Sequence, residues 1–206
     1  MNMAQFFHYV QDAPWYFHFL KPVLQILDPL PNNANVLDVG TGAGKLLELG
    51  KSQTSFQWEG ADTDNEMLVQ ARRRPSLQDV PLHSLSPDKL PFENASFDAV
   101  TFCSVLFLIP NPLPLLEETV RILRPNGRLV ALTPTGEGHI TPEVISQICV
   151  HPRNWTFFLW RQLTSGNGRA WAQKRTLAEF ARQKNATYNK QIVFNGLAAV
   201  EWIQFN

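Results

Sequence analysis

The sequence predicts an α/β protein with a Rossmann-like, seven-stranded and mostly parallel sheet that has helices on both faces. Apolar strand-like runs alternate with helical stretches over residues 34–133, which is typical of parallel strands joined by right-handed crossovers. The last two strand-like runs are separated only by Asn195-Gly196-Leu197. A loop that short joins antiparallel neighbours, so we expect an antiparallel C-terminal hairpin at the end of the sheet.

Each element is predicted from local composition and spacing. The helical patterns cover Ala43–Lys51, Asp64–Arg74 and Leu113–Leu123, and Thr63 with Glu66 fits a capping box at the start of the second of these helices. A turn is expected at residues 125–127. The seven expected strands are Val36–Val39, Phe56–Ala61, Val80–His83, Phe97–Cys103, Arg128–Thr133, Tyr188–Phe194 and Ala198–Phe205.

The 206 residues suit a single domain, which we divide by composition into four parts. Residues 1–31 form an N-terminal helical cap, in which Pro14 should start a helix and Pro22 should kink one. Residues 34–133 form the half with the alternating pattern. Residues 136–175 form an aromatic insertion, and residues 176–206 supply the last helix and the hairpin.

Composition excludes several classes of protein. Hydrophobic residues make up 44% of the chain and the formal net charge is +0, which argues against disorder and against a broadly basic nucleic-acid binder. The two cysteines, Cys103 and Cys149, form neither a disulfide framework nor a zinc motif. No apolar run reaches the ~18 residues of a membrane span. The first basic residue is Lys21, so we expect no export signal and a cytoplasmic location.

The segment from Asp38 to Gly44, which reads DVGTGAG, is the most informative part of the sequence. It follows a strand and opens a helix, where glycines let the backbone turn sharply and approach a ligand. The dinucleotide fingerprint would place a small residue where Lys45 stands, which disfavours a nicotinamide oxidoreductase. A carboxylate two residues before the first glycine suits a ligand that carries an ammonium and a sulfonium group.

A second carboxylate, Asp62, ends the second expected strand. Nucleotide-binding α/β proteins place there the acid that binds a ribose diol. The alternative is that Asp62 is only a turn or cap residue. We assign the nearby Asp64 to the first turn of the following helix, where a carboxylate interacts favourably with the helix dipole.

Four motifs resemble those of class I S-adenosylmethionine-dependent methyltransferases, in particular the ubiquinone/menaquinone-biosynthesis type. They read VLDVGTGAG (36–44), GADTDNEML (60–68), LPFENASFDAV (90–100) and RILRPNGRLVAL (121–132). The resemblance implies S-adenosylmethionine as the cofactor and S-adenosylhomocysteine as the product. It is informative about fold and cofactor and says little about the methyl acceptor.

The resemblance also implies roles for individual residues. Asp38 would hold the methionine ammonium, directly or through water, and Asp62 the ribose hydroxyls. Ser86 stands where the family commonly has an aspartate that binds adenine, so adenine would be left to Ser86, Leu85 and backbone amides. The remaining residues implied at the cofactor are the glycine-loop residues Gly40, Thr41, Gly42 and Gly44, then Thr63 and Met67 beside adenine, and Cys103 and Ser104 at the methyl donor.

The catalytic residue is unknown from the sequence. Many relatives carry a histidine shortly after the fourth strand, but here residues 106–109 read LFLI. His139 and His151 are weak candidates for a general base, and an ordinary loop histidine is the favoured interpretation of each. A metal site at His139, Cys149 and His151 is disfavoured because the trio lacks a carboxylate, so we predict no metal.

The predicted function is methyl transfer to a small apolar or aromatic acceptor, with monomer and homodimer both open and no nucleic-acid partner. Lids could come from Phe6–Leu20 and Gly136–Trp171, whose aromatic residues could line the acceptor pocket, form the core of a cap, or do both. The segment from residue 151 onward contains eight basic and two acidic residues. This excess of positive charge would either favour an anionic acceptor or belong to a solvated helical face. The alternatives are a nucleic-acid or protein methyltransferase and a non-catalytic cofactor-binding or scaffold subunit of the same fold.

Overall fold

Seven strands form one sheet in the order β3-β2-β1-β4-β5-β7-β6 in the computed structural model, which describes residues 3–86, 89–140 and 151–206. The register pairs β1 with β2 and β4 in parallel, whereas β7 is antiparallel to both β5 and β6. Six strands therefore point one way, and the predicted hairpin is confirmed. The strands are β1 (Asn35–Val39), β2 (Gln57–Asp62), β3 (Leu82–Ser84), β4 (Phe97–Cys103), β5 (Leu123–Pro134), β6 (Thr187–Val193) and β7 (Ala198–Gln204).

Helices cover both faces of the sheet, as expected for parallel strands joined by crossovers. Alternate residues of β5 show why: Val130 and Leu132 pack into one hydrophobic cluster, whereas Leu129 and Ala131 pack into another on the opposite face. The described helices are α1 (Met3–Gln11), α2 (Pro14–Leu27), α3 (Lys45–Gln53), α4 (Asn65–Arg72), α5 (Leu113–Ile122), α6 (Thr156–Lys174) and α7 (Thr176–Gln183).

The second N-terminal helix contains a proline in its interior. Pro14 begins α2 as expected, and the helix continues through Pro22 to Leu27. Seven side chains of α2 are buried, Trp15 and Phe19 completely. We attribute the continuity to this packing, which outweighs the hydrogen bond that a proline removes from the helix.

The predicted capping box of α4 is wrong by one residue. The N-cap is Asp64 rather than Thr63, and its carboxylate accepts hydrogen bonds from the backbone N–H groups of Glu66 and Met67. A carboxylate at this position satisfies two N–H groups and also interacts favourably with the helix dipole. The shift leaves Thr63 outside the cap.

The fifth strand is longer than predicted. Leu123 pairs with Phe97, and pairing resumes two residues further along β4, where Arg128 faces Ala99. The residues between them include Asn126 at φ 62°. The turn expected at 125–127 is therefore an irregularity inside β5 and does not precede the strand.

Two sets of contacts attach the N-terminal helices to the rest of the chain. Trp15 donates from its indole to the Thr156 hydroxyl at 2.9 Å and from its backbone to Asn154 Oδ1 at 3.2 Å. On the other side Arg74, which is 5% exposed, pairs with Asp12 at 2.8 Å and Glu48 at 3.0 Å. We call Asp12, Glu48, Arg74 and Lys45 the ion cluster. No helix in the described ranges is long and apolar enough to cross a membrane.

Candidate active site

A cavity of about 640 Å³ opens at the carboxyl ends of β1, β2 and β4, beneath α1, α2 and α6. Ligands of open α/β sheets bind at this edge, and the volume lies within the roughly 300–1,000 Å³ of small-molecule sites. Its polar lining comes from the residues that follow β1 and β2, which we call the polar end. The apolar lining residues, which we call the apolar end, include Phe6, Phe7, Val10, Tyr16, Phe107, Leu159, Trp160 and Leu163.

The glycine loop after β1 lines the polar end and has a fixed backbone. The N–H groups of Gly40 and Thr41 donate to the Ala61 carbonyl at 2.8 and 3.1 Å, which ties the loop to β2. Gly40 and Gly42 have φ values of 73° and 56°, a region that other residues avoid. A Cβ on Gly42 would lie 2.8 Å from Gln11 Nε2, so a larger residue would disturb both the loop and α1.

The third glycine of the motif has a packing role. Gly44, at φ 79°, is the N-cap residue of α3, and a Cβ there would meet Leu77 and Ala71 behind the loop. It does not line the cavity. The motif therefore combines two positions at the cavity with one that lets α3 approach α4.

Asp62 connects the loop to the end of β2. One carboxylate oxygen accepts from the Gly42 N–H at 2.7 Å, and the other accepts from the Asp64 N–H at 2.9 Å. Burial raises the pKa of Asp62, and these backbone hydrogen bonds oppose that shift. Each carboxylate oxygen retains a lone pair, so the group can accept further hydrogen bonds from a diol in the cavity.

Asp38 is buried at the base of the loop and does not line the cavity. The Thr101 hydroxyl donates to its Oδ1 at 2.7 Å. Burial raises the pKa of Asp38 to about 7, and the negative charge of Asp62 contributes to the rise, whereas the threonine hydrogen bond opposes it. A cation bound nearby would favour the charged form of this carboxyl group.

The end of β4 brings two further side chains to the cavity. Burial raises the pKa of the Cys103 thiol well above its usual range, which keeps it protonated. Ser104 has φ 62°, which is unusual for a residue other than glycine and is typical of functional sites. Its hydroxyl is buried and, among the described residues, has no hydrogen-bond partner.

Most of the residues implied by the motifs lie together. The cavity is lined by Gly40, Gly42, Asp62, Thr63, Met67, Leu85, Ser86, Cys103 and Ser104, whereas Asp38, Thr41 and Gly44 lie behind these walls. His139 and His151 are exposed and outside the walls, and His151 accepts from the Arg153 N–H at the start of a 3-10 helix. Cys149 lies outside the described residues, within which no group of three side chains suits a metal ion.

Several cavity residues were not predicted individually. Gln11, Tyr16 and Trp160 line it from α1, α2 and α6, beside Thr156 and Thr164. The aromatic-rich composition of the two predicted lid segments was the available signal. Those aromatic residues divide between roles, because Trp160 lines the cavity whereas Phe157 and Trp171 belong to the core.

Comparison with known proteins agrees with the motifs and the fold. Residues 37–131 match the family described as "Methyltransferase domain". The chain is 35% identical over 117 residues to the ubiquinone/menaquinone biosynthesis C-methyltransferase UbiE of Desulfotalea psychrophila, covering 55% of this chain and 48% of the relative. It is 30% identical over 118 residues to the UbiE protein of Rickettsia bellii, covering 52% and 48%. The chain thus spans about half the length of the curated relatives it matches.

Solved structures show the same fold over nearly the whole chain. A SAM-dependent methyltransferase from Aquifex aeolicus has a TM-score of 0.68 at 18% identity and covers 95% of both chains. A protein from Methanococcus maripaludis, described as a putative S-adenosylmethionine-dependent methyltransferase, has a TM-score of 0.73 at 15% identity and covers 98% of this chain and 92% of that one.

The seven-stranded sheet has the fold of these methyltransferase structures, and its glycine loop meets the acid at the end of β2. Over about half of its length the chain is similar to the ubiquinone/menaquinone biosynthesis C-methyltransferases, so the resemblance seen in the motifs is confirmed. The comparisons support S-adenosylmethionine as the cofactor. The cavity fits this group, because its lining combines a carboxylate that suits an adenosyl ribose with many apolar side chains.

Proposed function

We propose that the chain transfers a methyl group from S-adenosylmethionine to a small apolar or aromatic acceptor. The single observation that supports this most is the lining of the cavity, which combines Asp62 and the glycine loop with apolar side chains of α1 and α6. One ligand can therefore lie at the polar end with a second against it. When bound, S-adenosylmethionine supplies a methyl group on a positively charged sulfur.

The residues at the polar end would hold the adenosyl group. We assign the ribose hydroxyls to Asp62, and adenine to the wall formed by Thr63, Met67, Leu85 and Ser86. Asp38 would hold the ammonium, directly or through water, while Thr101 fixes the orientation of its carboxyl group. The two carboxylates lie at the ends of neighbouring strands, and together they favour a cation between them.

The residues at the apolar end would position the acceptor and exclude water. Holding a nucleophile in line with the methyl carbon can contribute about 7–11 kcal/mol to rate acceleration. Trp160 is anchored for this task, since its ring packs 5.2 Å from that of Trp15 and 5.0 Å from that of Phe19. None of the eight basic residues from 151 onward lines the cavity. The basic side chain in its described lining is Lys89, which pairs with Ser86 in the wall that we assign to adenine, so we favour a neutral acceptor over an anionic one.

Other parts of the proposal come from the sequence. We propose a cytoplasmic location, a monomer or homodimer, and the division into cap (1–31), cofactor-binding half (34–133), lid (136–175) and C-terminal segment (176–206). The names of the relatives specify methylation at carbon. From these relatives we apply to this chain only the cofactor and the small size of the acceptor.

Thermal melting with S-adenosylmethionine tests the cofactor assignment. We expect the ligand to raise the melting temperature by mass action. Asp62→Ala should lose most of that increase, whereas Asp64→Ala, the matched control, should lower the starting stability through its lost cap and keep most of the increase. Equal losses in the two variants would contradict the ribose assignment.

The acceptor is found by transfer of a labelled methyl group to a panel of phenols, carboxylates, amines and thiols. We expect product among the neutral aromatic compounds. If the chain instead binds RNA with an affinity that falls steeply as the salt concentration rises, the result would support a nucleic-acid methyltransferase. Tight cofactor binding without transfer to any compound or to RNA would support a non-catalytic subunit.

A further inference from the structure

Tyr16 and Gln11 lie above the glycine loop and come from the N-terminal helices. Tyr16 is on α2, is 7% exposed and lines the cavity. Its ring lies 5.2 Å from that of Trp15 and 5.5 Å from that of Phe19, so packing fixes the direction of its hydroxyl. Gln11 ends α1, and its amide lies against Gly42.

Tyr16 lines the same cavity as the glycine loop and Cys103. Burial raises the pKa of Tyr16 above its usual range, and a negative charge on Asp38 would raise it further. A hydrogen bond from Gln11 opposes the shift. Tyr16 therefore stays protonated, and while its oxygen accepts from Gln11, its own proton is free to be donated.

Gln11 supplies the complementary group. Its Oε1 atom is buried and, within the part of the chain that the structure describes, has no hydrogen-bond partner. An acceptor buried in this way is destabilising unless a ligand or water satisfies it. One hydroxyl donor and one amide acceptor side by side match the carboxylate and ammonium of an α-amino acid.

The ion cluster holds this pair in place. Arg74 donates to the Ala43 carbonyl of the glycine loop at 2.6 Å and pairs with Asp12, the residue after Gln11, at 2.8 Å. Loop and α1 are therefore attached to the same guanidinium. Their separation is fixed by a side chain that is 6% exposed.

We propose that Tyr16 and Gln11 form a subsite for the amino-acid end of S-adenosylmethionine, in which the Tyr16 hydroxyl donates to the ligand's carboxylate and Gln11 Oε1 accepts from its ammonium. This inference rests on the proposed function. It adds a contribution of the N-terminal cap to cofactor binding that the four motifs do not contain.

Two ligands that differ only in the amino-acid part provide the test. S-adenosylhomocysteine carries that part, whereas 5′-methylthioadenosine has the same adenosine and thioether sulfur without it. Isothermal titration calorimetry measures the dissociation constant of each for the wild-type chain, Tyr16→Phe, Gln11→Met and Tyr9→Phe. Tyr9 is the matched control, because its ring lies under Arg153 and outside the cavity walls.

We expect Tyr16→Phe to weaken S-adenosylhomocysteine about 10- to 100-fold, as for a hydrogen bond to a charged group, and to change 5′-methylthioadenosine less than twofold. Gln11→Met should act in the same direction by about 2- to 10-fold, and it provides the comparison if Tyr16→Phe fails to fold. Tyr9→Phe should change neither constant.

Equal weakening of both ligands would show a merely structural role and overturn the proposal, as would a Tyr16→Phe constant for S-adenosylhomocysteine within twofold of wild type. If the wild-type chain binds neither ligand, the proposed function itself fails. The two failures are therefore distinguishable.

Discussion

The raised pKa of Asp38 predicts that cofactor binding depends on pH near neutrality. The carboxyl group has a pKa of about 7 because it is buried, so it is largely protonated at pH 6. A ligand whose ammonium is held by Asp38 needs the charged form and must displace the proton. Affinity should therefore rise as the pH rises through 7.

The size of the effect follows from the two titrations involved. The fraction of chains with Asp38 ionised is about one in eleven at pH 6 and about three in four at pH 7.5, for a pKa of about 7. The ligand's own α-amino group is that of a free amino acid, titrates above this range and stays charged. Together these predict that S-adenosylhomocysteine binds about eightfold more tightly at pH 7.5 than at pH 6.

Calorimetry at the two pH values measures this ratio of dissociation constants. Titrations at pH 6 in buffers of different ionisation enthalpy measure the number of protons released on binding, which we expect to be about 0.9 per ligand. Thr101→Val removes a hydrogen bond that favours the charged carboxylate and should move the midpoint to higher pH. Asp62→Asn controls for the other buried acid and should keep the sign of the pH dependence, with its midpoint at a lower pH because the charge of Asp62 raises the pKa of Asp38. A dissociation constant that changes less than twofold between pH 6 and 7.5, or a slope that persists in Asp38→Asn, would refute the reasoning.

Three substitutions test the packing around the site by thermal and chemical unfolding. Arg74→Met should reduce stability by about 2–4 kcal/mol, because Asp12 and Glu48 lose their most buried partner while they keep Lys45 and partial contact with water; no loss would mean that α1 is not held by this cluster. Trp15→Phe should reduce stability by about 2–4 kcal/mol through the lost hydrogen bond to Thr156 and the smaller ring. The loss of stability in the double variant with Thr156→Val should be smaller than the sum of the losses in the two single variants. Gly50→Ala in α3 should be destabilising by about 1–2 kcal/mol despite its higher helix propensity, because the new methyl meets the Trp58 ring; a higher melting temperature would contradict this.

The sequence predicts the sheet well because the relevant signals are local. Strand β4 has the predicted bounds, Phe97–Cys103, since seven mostly apolar residues end at a sharp turn. The hairpin follows from the length of its loop. The order of the strands in the sheet has no local signal, and it was not predicted.

Predictions fail where tertiary packing decides. Thr63 and Asp64 are both acceptable N-cap residues for α4 by sequence, and the structure has Asp64 as the N-cap. Gln11 and Tyr16 could not be predicted individually as cavity residues, because their position depends on how α1 and α2 pack over a loop about 30 residues away.

The two acids of the site explain why a positively charged donor suits it. Asp38 and Asp62 end neighbouring strands, both are at least half-buried, and burial raises the pKa of each. Without a cation nearby, charging either group is unfavourable, and the negative charge of Asp62 makes it harder for Asp38. A bound cation reverses that balance for both groups at once. The same burial that disfavours charge in the unliganded chain therefore strengthens its attraction for a ligand that carries an ammonium and a sulfonium, and a ligand lacking both charges should gain nothing from it.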